Sequence, residues 1–329
     1  MNESAIPEFQ PCLLMSCGHR QTVLGNLLFG SRFPYTARPQ TLSLSDGDQL
    51  VVHDDLPAQW KPADPVAVLV HGLGGNHRSG YMVRVAAKLK RQGVRVFRMD
   101  QRGCGAAEFL SMKTAHAGRS DDIADLLDWV TGCCPQSAVT LVGFSLGGNA
   151  VLKLAGESGS AAKWNLQSVI AVAPPIDLEY CAVNLSRPER RFYDRRFLRQ
   201  LCRQVRKRCQ RMAAAEELPS GARPRSVFEF DDCYTSRVNG FQDAQDYYAL
   251  SSAGPLLESI SIETKILVAE DDPVVPSEIF NEIPQSDCLR LFKTQHGGHL
   301  GYLGVKGVDR DRRWMDWRIV NWVISQAFK

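Results

Sequence analysis

Val139-Thr140-Leu141-Val142-Gly143-Phe144-Ser145-Leu146-Gly147-Gly148 is the stretch from which the rest of the chain can be read. Val139 to Val142 is apolar and β-branched, which suits a buried strand, and Leu146 to Gly156 reads as a helix. Gly143-Phe144-Ser145-Leu146-Gly147 therefore spells G-x-S-x-G at a strand-to-helix turn. Alone, that pattern arises by chance. In this context the tight turn pushes the Ser145 side chain above the sheet, and the glycines remove crowding around it. The helix N-terminus points at the same place, so the Leu146 amide can donate to a developing oxyanion.

Working outward, similar short runs recur at Val66 to Val70, Val94 to Met99, Ser168 to Val172, Lys265 to Val268 and Leu289 to Phe292. Several are apolar almost throughout, as strands covered on both faces are. Tyr81 to Gln92 and Asp121 to Thr131 read as helices between them, the second with Ser120 as N-cap and Asp121 and Asp122 in its first turn. A last helix spans Arg312 to Phe328, with Trp317, Val320, Ile324 and Phe328 on one face. Alternating β and α elements predict an α/β fold, a mostly parallel central sheet with helices on both faces. Thr41 to Asp54, turning at Asp46-Gly47-Asp48, reads as an antiparallel hairpin leading in. One domain over 1–329 is expected. Between Pro174 and Ser261 the alternation stops and the chain turns helical and charged. Such an insertion late in an α/β sheet is expected to cap the strand ends, where these folds bind ligands. The plainer reading is a helical decoration away from the site.

A serine hydroxyl needs a base before it is a useful nucleophile. Chain order after such a turn is serine, acid, histidine. Glu270-Asp271-Asp272-Pro273-Val274-Val275-Pro276 follows one strand, and His296-Gly297-Gly298-His299-Leu300-Gly301 follows the next. The expected set is Ser145, Asp272 and His299. Asp272 is preferred over Asp271 because the D-P-x-x-P turn brings the chain back over the site. His299 is preferred over His296 because of its glycine-flanked turn. A metal held by His296 and His299 lacks a third ligand. The second oxyanion donor is expected from Leu73 in His71-Gly72-Leu73-Gly74-Gly75, which has neither a Walker ending nor dinucleotide spacing. His71 reads as a structural hydrogen-bonding residue. Asp100 to Gly105 reads as a loop rimming the site, with Cys104 not a nucleophile. No cofactor and no metal are expected.

Composition sets the outer bounds. The 329 residues are 44% hydrophobic and 23% charged, which excludes disordered, collagenous and disulfide-scaffold chains. Ten cysteines without paired metal spacing, and no signal-peptide pattern in Met1 to Gly30, suggest reduced thiols in a cytoplasmic protein. The net charge is only +3, so no global field calls for nucleic acid. One segment departs from that balance. From Arg187 to Arg211 basic residues crowd against Glu189 and Asp194 alone, interleaved with Phe192, Tyr193, Phe197 and Leu201. It reads first as a solvated amphipathic helix whose arginine stems pack and whose charges pair elsewhere. The alternative is a cap face that leans on anionic lipid or attracts acidic substrates. Nucleic-acid binding is not expected.

At these residues the chain resembles an α/β-hydrolase over nearly its whole length. More narrowly it is similar to the YheT-like esterases, a type-four group related to the lipase-like α/β-hydrolase-domain proteins of eukaryotes. The marks are Phe9 and Pro11, Gly18-His19-Arg20-Gln21-Thr22 like a G-H-x-Q-T signature, His71 to Gly75, Gly143 to Gly148, Phe228 to Asp231, Asp271-Asp272-Pro273 and Gly297 to Gly301. Ser16-Cys17 and Arg20 depart from the usual pattern there. The resemblance implies Ser145, Asp272 and His299 as the charge-relay residues and small-molecule carboxylic esters as substrates, its members being associated with short-chain ester, acylglycerol or phospholipid hydrolysis. Short- to medium-chain esters or acylglycerols are expected here. A thioesterase or acyltransferase of the same fold, and a catalytically silent binding protein, are the competing readings.

Overall fold

The computed structural model describes residues 7–27, 33–159, 161–213, 215–284 and 286–327. Its strands are β1 (Arg38–Ser43), β2 (Gln49–Asp55), β3 (Val66–Val70), β4 (Arg95–Asp100), β5 (Val139–Phe144), β6 (Leu166–Val172), β7 (Glu263–Ala269) and β8 (Leu289–Thr294). They form one sheet in the order β1-β2-β4-β3-β5-β6-β7-β8. The leading hairpin is antiparallel, β2 joins β4 antiparallel, and every later pairing is parallel. The α/β class expected from the sequence is the one observed.

The helices are α1 (Gly18–Leu27), α2 (Gly80–Arg91), α3 (Ser120–Cys133), α4 (Leu146–Ser158), α5 (Leu178–Leu185), α6 (Arg191–Arg211), α7 (Val227–Phe230), α8 (Ser236–Val238), α9 (Ala244–Ser251) and α10 (Trp314–Ala327). β3 shows how the layers are made. Val66, Val68 and Val70 join the core under α3 and α4, while Ala67 and Leu69 join the opposite core under α2 and α10. All five are fully buried, which explains why this strand is apolar without alternation. Parallel strands connected through helices all point the same way, so the loops after β3, β5, β7 and β8 gather at one end of the sheet. That end carries the site.

Three details differ from the sequence reading. Ser120 lies inside α3 rather than capping it: Arg119 holds the cap position, and the Ser120 hydroxyl turns to Glu157 Oε2 at 2.5 Å. α10 buries most of its circumference, centred on Met315, Ile319, Trp322 and Val323, whereas Trp317 and Ile324 are only half-buried. Phe328 lies outside the described residues. α1 has no counterpart in the periodicity at all. The stretch Pro174–Ser261 holds α5 to α9 between β6 and β7, with a π-helical turn at Asp231–Thr235 between α7 and α8. Among the described residues no helix is long and apolar enough to cross a membrane.

Candidate active site

Ser145 sits between β5 and α4 with φ 50° and ψ −120°, a left-handed conformation a serine adopts at a cost of about 1–3 kcal/mol. The surroundings hold it there. Its amide donates to the Val172 carbonyl at 2.8 Å, and its carbonyl accepts from the Gly148 and Asn149 amides at 2.7 and 3.1 Å. A Cβ on Gly143 would stand 2.3 Å from the Gly147 carbonyl oxygen, and one on Gly147 would stand 2.5 Å from that of His71. The glycines of the pattern are thus fixed by close backbone approach.

The loops after β7 and β8 bring two further groups to Ser145. His299 Nε2 lies 2.9 Å from Ser145 Oγ, and His299 Nδ1 lies 2.8 Å from Asp272 Oδ2. Asp272 Oδ1 accepts from the Val274 and Val275 amides at 2.7 and 3.0 Å, so the D-P-x-x-P turn wraps its own backbone around the carboxylate. With Nδ1–H facing Asp272, the Nε2 lone pair faces the serine hydroxyl. Asp271 points elsewhere. Its Oδ1 accepts from the Gly298 amide at 2.8 Å and its Oδ2 is 3.3 Å from His296 Nδ1. The adjacent aspartates therefore split the work: one meets the histidine ring, the other fixes the loop that carries it.

Leu73 and Leu146 flank Ser145 in the pocket above it. Their amides stand in the turn after β3 and in the first turn of α4, where backbone donors lack helical partners. His71 is buried and neutral, because burial drives its pKa down, and it bonds the Gly72 carbonyl and Gln101 rather than the serine. Cys104 is buried with its thiol pushed up to about 12 by desolvation, so it stays protonated.

Among the described residues one group could hold a metal by composition: His53, His77 and Asp100, all buried. Its hydrogen bonds argue otherwise. Arg78 Nε donates to His77 Nε2 at 3.2 Å, and Tyr35 Oη lies 2.5 Å from His53 Nδ1. Each ring then turns its remaining N–H to Asp100 Oδ2, at 2.6 Å from His77 and 3.0 Å from His53. Burial opposes charge on Asp100, yet these bonds and the Ala106 amide hold its carboxyl well below the usual range. Asp100 also accepts from the His77 amide at 2.6 Å, tying the β4 loop to the β3 loop that carries Leu73.

α1 supplies what the sequence reading missed. Thr22 Oγ1 accepts from the His299 amide at 2.8 Å and donates to the Gly18 carbonyl at 2.7 Å. Gln21 binds the Leu303 amide and carbonyl through its two amide ends. A Cβ on Gly18 would fall 1.8 Å from the Asp271 carbonyl oxygen. The signature near the amino terminus is a clamp on the histidine loop, and His19 extends it by reaching Tyr193 of α6 at 3.0 Å.

Two cavities meet at Ser145. One is apolar, walled by Leu146, Leu178, Leu185, Phe197, Leu201 and Val275, and reaches Asp231. Burial pushes the Asp231 carboxyl up to about 6, against the bonds it accepts from Thr235 and Tyr248. The other is a more polar mouth beside Gly74, Gly75, Ser79, Tyr193, Arg196 and Gln200.

Comparison with known proteins agrees with this architecture. Residues 65–304 match the family described as alpha/beta hydrolase fold. This chain is an α/β-hydrolase by family. The protein named Putative esterase YheT of Escherichia coli (strain K12) is 30% identical, over 98% of this chain and 94% of that protein, so the chain belongs with the YheT-like α/β-hydrolases. Phospholipase ABHD3 of Homo sapiens is 25% identical over 87% of this chain and 71% of its own. The solved structure of Est1E from Butyrivibrio proteoclasticus with ferulic acid bound aligns with a TM-score of 0.58 at 15% identity, covering 88% of this chain and 100% of that one, a likeness of fold. The general α/β-hydrolase match begins just before β3 and omits α1. The match to the YheT relative spans 98% of this chain.

Proposed function

We propose that the protein is a serine carboxylester hydrolase in which Ser145 is the nucleophile, His299 the general base and then acid, and Asp272 the residue that orients the imidazole and stabilises its cation. The observation that supports this most is the hydrogen-bonded line from Ser145 through His299 to Asp272, at 2.9 and 2.8 Å, at the base of an apolar pocket. Ser145 Oγ attacks the ester carbonyl carbon while Nε2 takes its proton. The Leu73 and Leu146 amides receive the oxyanion. The C–O bond breaks, the alcohol leaves with the proton from His299, and an acyl-enzyme remains. Water, deprotonated by His299, releases the acid and restores the serine.

In this reading the chain is one domain and Pro174–Ser261 is its helical cap, since α5 and α6 wall the apolar cavity. That cavity takes a short- to medium-chain acyl group and the polar mouth takes the alcohol portion, an acylglycerol included. The names of the relatives, an esterase and a phospholipase, favour esters over other acyl compounds. Hydrolysis of p-nitrophenyl esters over a series of acyl lengths tests the proposal. Turnover should peak at one chain length and fall at least about 10³-fold in Ser145→Ala. Equal rates in both proteins would remove Ser145 from the reaction.

A further inference from the structure

We propose that the outer face of α6 docks the protein on an anionic phospholipid surface. The helix is seated by its inward side: Tyr193 and Val205 are buried, and Asp194 accepts from the Val227 amide at 2.8 Å. Three of its basic groups are also consumed by the fold. Lys207 pairs with Glu108 at 2.9 Å, and Arg208 is buried against the carbonyls of Glu108, Ser111 and Met112. Arg211 lies over the Phe109 ring, 4.9 Å from its centroid.

The remaining arginines behave differently. Arg191, Arg195, Arg199, Arg203 and Arg206, spaced three or four apart, share the exposed side with Arg196 and Phe192. That side carries no acidic residue, and among the described residues none of these guanidinium groups forms an ion pair with a carboxylate. Like charges at such spacing weaken a helix. Burial disfavours the Asp194 carboxylate and the fields of Arg191 and Arg195 partly offset this, but the row as a whole lacks carboxylate partners and calls for negative charge from outside. Phe192 stands at the amino-terminal end of the row, beside Arg191, and is 61% exposed, a feature that suits insertion among lipid headgroups and has no use in binding phosphates alone. The neighbouring amino-terminal turn exposes Leu13 at 89% and Leu14 at 73%. Arg20 holds the Leu14 carbonyl, and the adjacent His19 ring stacks on Tyr193, next to Phe192. Cationic side chains around protruding apolar ones complement an anionic bilayer. Arg196 and Gln200 of the same helix line the mouth above Ser145, so the docked face borders the opening of the site.

Flotation with phosphatidylcholine vesicles, alone or mixed with phosphatidylglycerol, tests the proposal. The full chain should float only with the anionic vesicles and be released as salt shortens the screening length. Replacing Arg195, Arg199 and Arg203 with glutamine should weaken binding roughly a hundredfold, and lysine at the same three positions should restore most of it. Ser145→Ala should float like the wild type, which separates docking from the proposed hydrolysis. Equal binding to neutral vesicles, no binding at low salt, or unchanged binding by the glutamine variant would overturn the proposal. So would tighter binding to duplex DNA than to anionic vesicles.

Discussion

At the scale of single residues, the aspartate pair carries the sharpest distinction. Asp272 meets the His299 ring and accepts two backbone amides, while Asp271 meets Gly298 and His296. Asp272→Asn should lower kcat on a p-nitrophenyl ester by roughly 10³–10⁴, since the amide favours the wrong tautomer of the base. Asp271→Asn should cost about tenfold or less, with most of its effect in stability, about 1–3 kcal/mol for the disturbed Gly298 contact. Steady-state kinetics and urea unfolding of the two variants check this, and equal kinetic losses would refute the division. Asp272 rather than Asp271 faces the His299 ring because the D-P-x-x-P turn limits where the carboxylate can go. The serine was readable because backbone crowding at Gly143 and Gly147 forces glycine into a local pattern.

At the scale of elements, legibility follows how each segment is buried. β3 and β5 are covered on both faces, so continuous apolar runs announce them. α1 is different, because its work is done by backbone approach and polar side chains: Gly18 against Asp271, Gln21 on Leu303, Thr22 on His299. None of that leaves a hydrophobic period. α10 hid its orientation for the opposite reason, being buried almost all round. The clamp makes a specific prediction. Thr22→Val keeps the side-chain shape but leaves the buried His299 amide without its acceptor, at about 1–3 kcal/mol. Ester turnover should fall with little change in KM, because His299, the proposed base, is displaced rather than the pocket. A rise in KM alone would show that α1 serves the pocket instead.

At the scale of the whole molecule, the pocket depends on packing between segments far apart in the chain, and no spacing rule could supply its shape. Asp231 is the clearest example: α7 and α9 converge to bury its carboxyl, which accepts from Thr235 and Tyr248. Its pKa rises from 3.8 to about 6 on folding. The folded chain thus holds that proton more tightly than the unfolded chain, and the associated stability is present below about pH 4 and lost as pH rises through about 6. Urea unfolding between pH 4 and 7 should show the wild type losing roughly 2–3 kcal/mol relative to Asp231→Asn across that window. Parallel stability curves for the two proteins would show that the carboxyl titrates normally.

The most direct test of the account is covalent. A fluorophosphonate should label the wild-type protein at one residue, and peptide mass spectrometry should place the adduct on Ser145, with labelling abolished in Ser145→Ala and slowed by roughly 10³-fold or more when His299 is replaced by alanine. An adduct on another serine, or labelling that survives in Ser145→Ala, would contradict the assignment of the nucleophile.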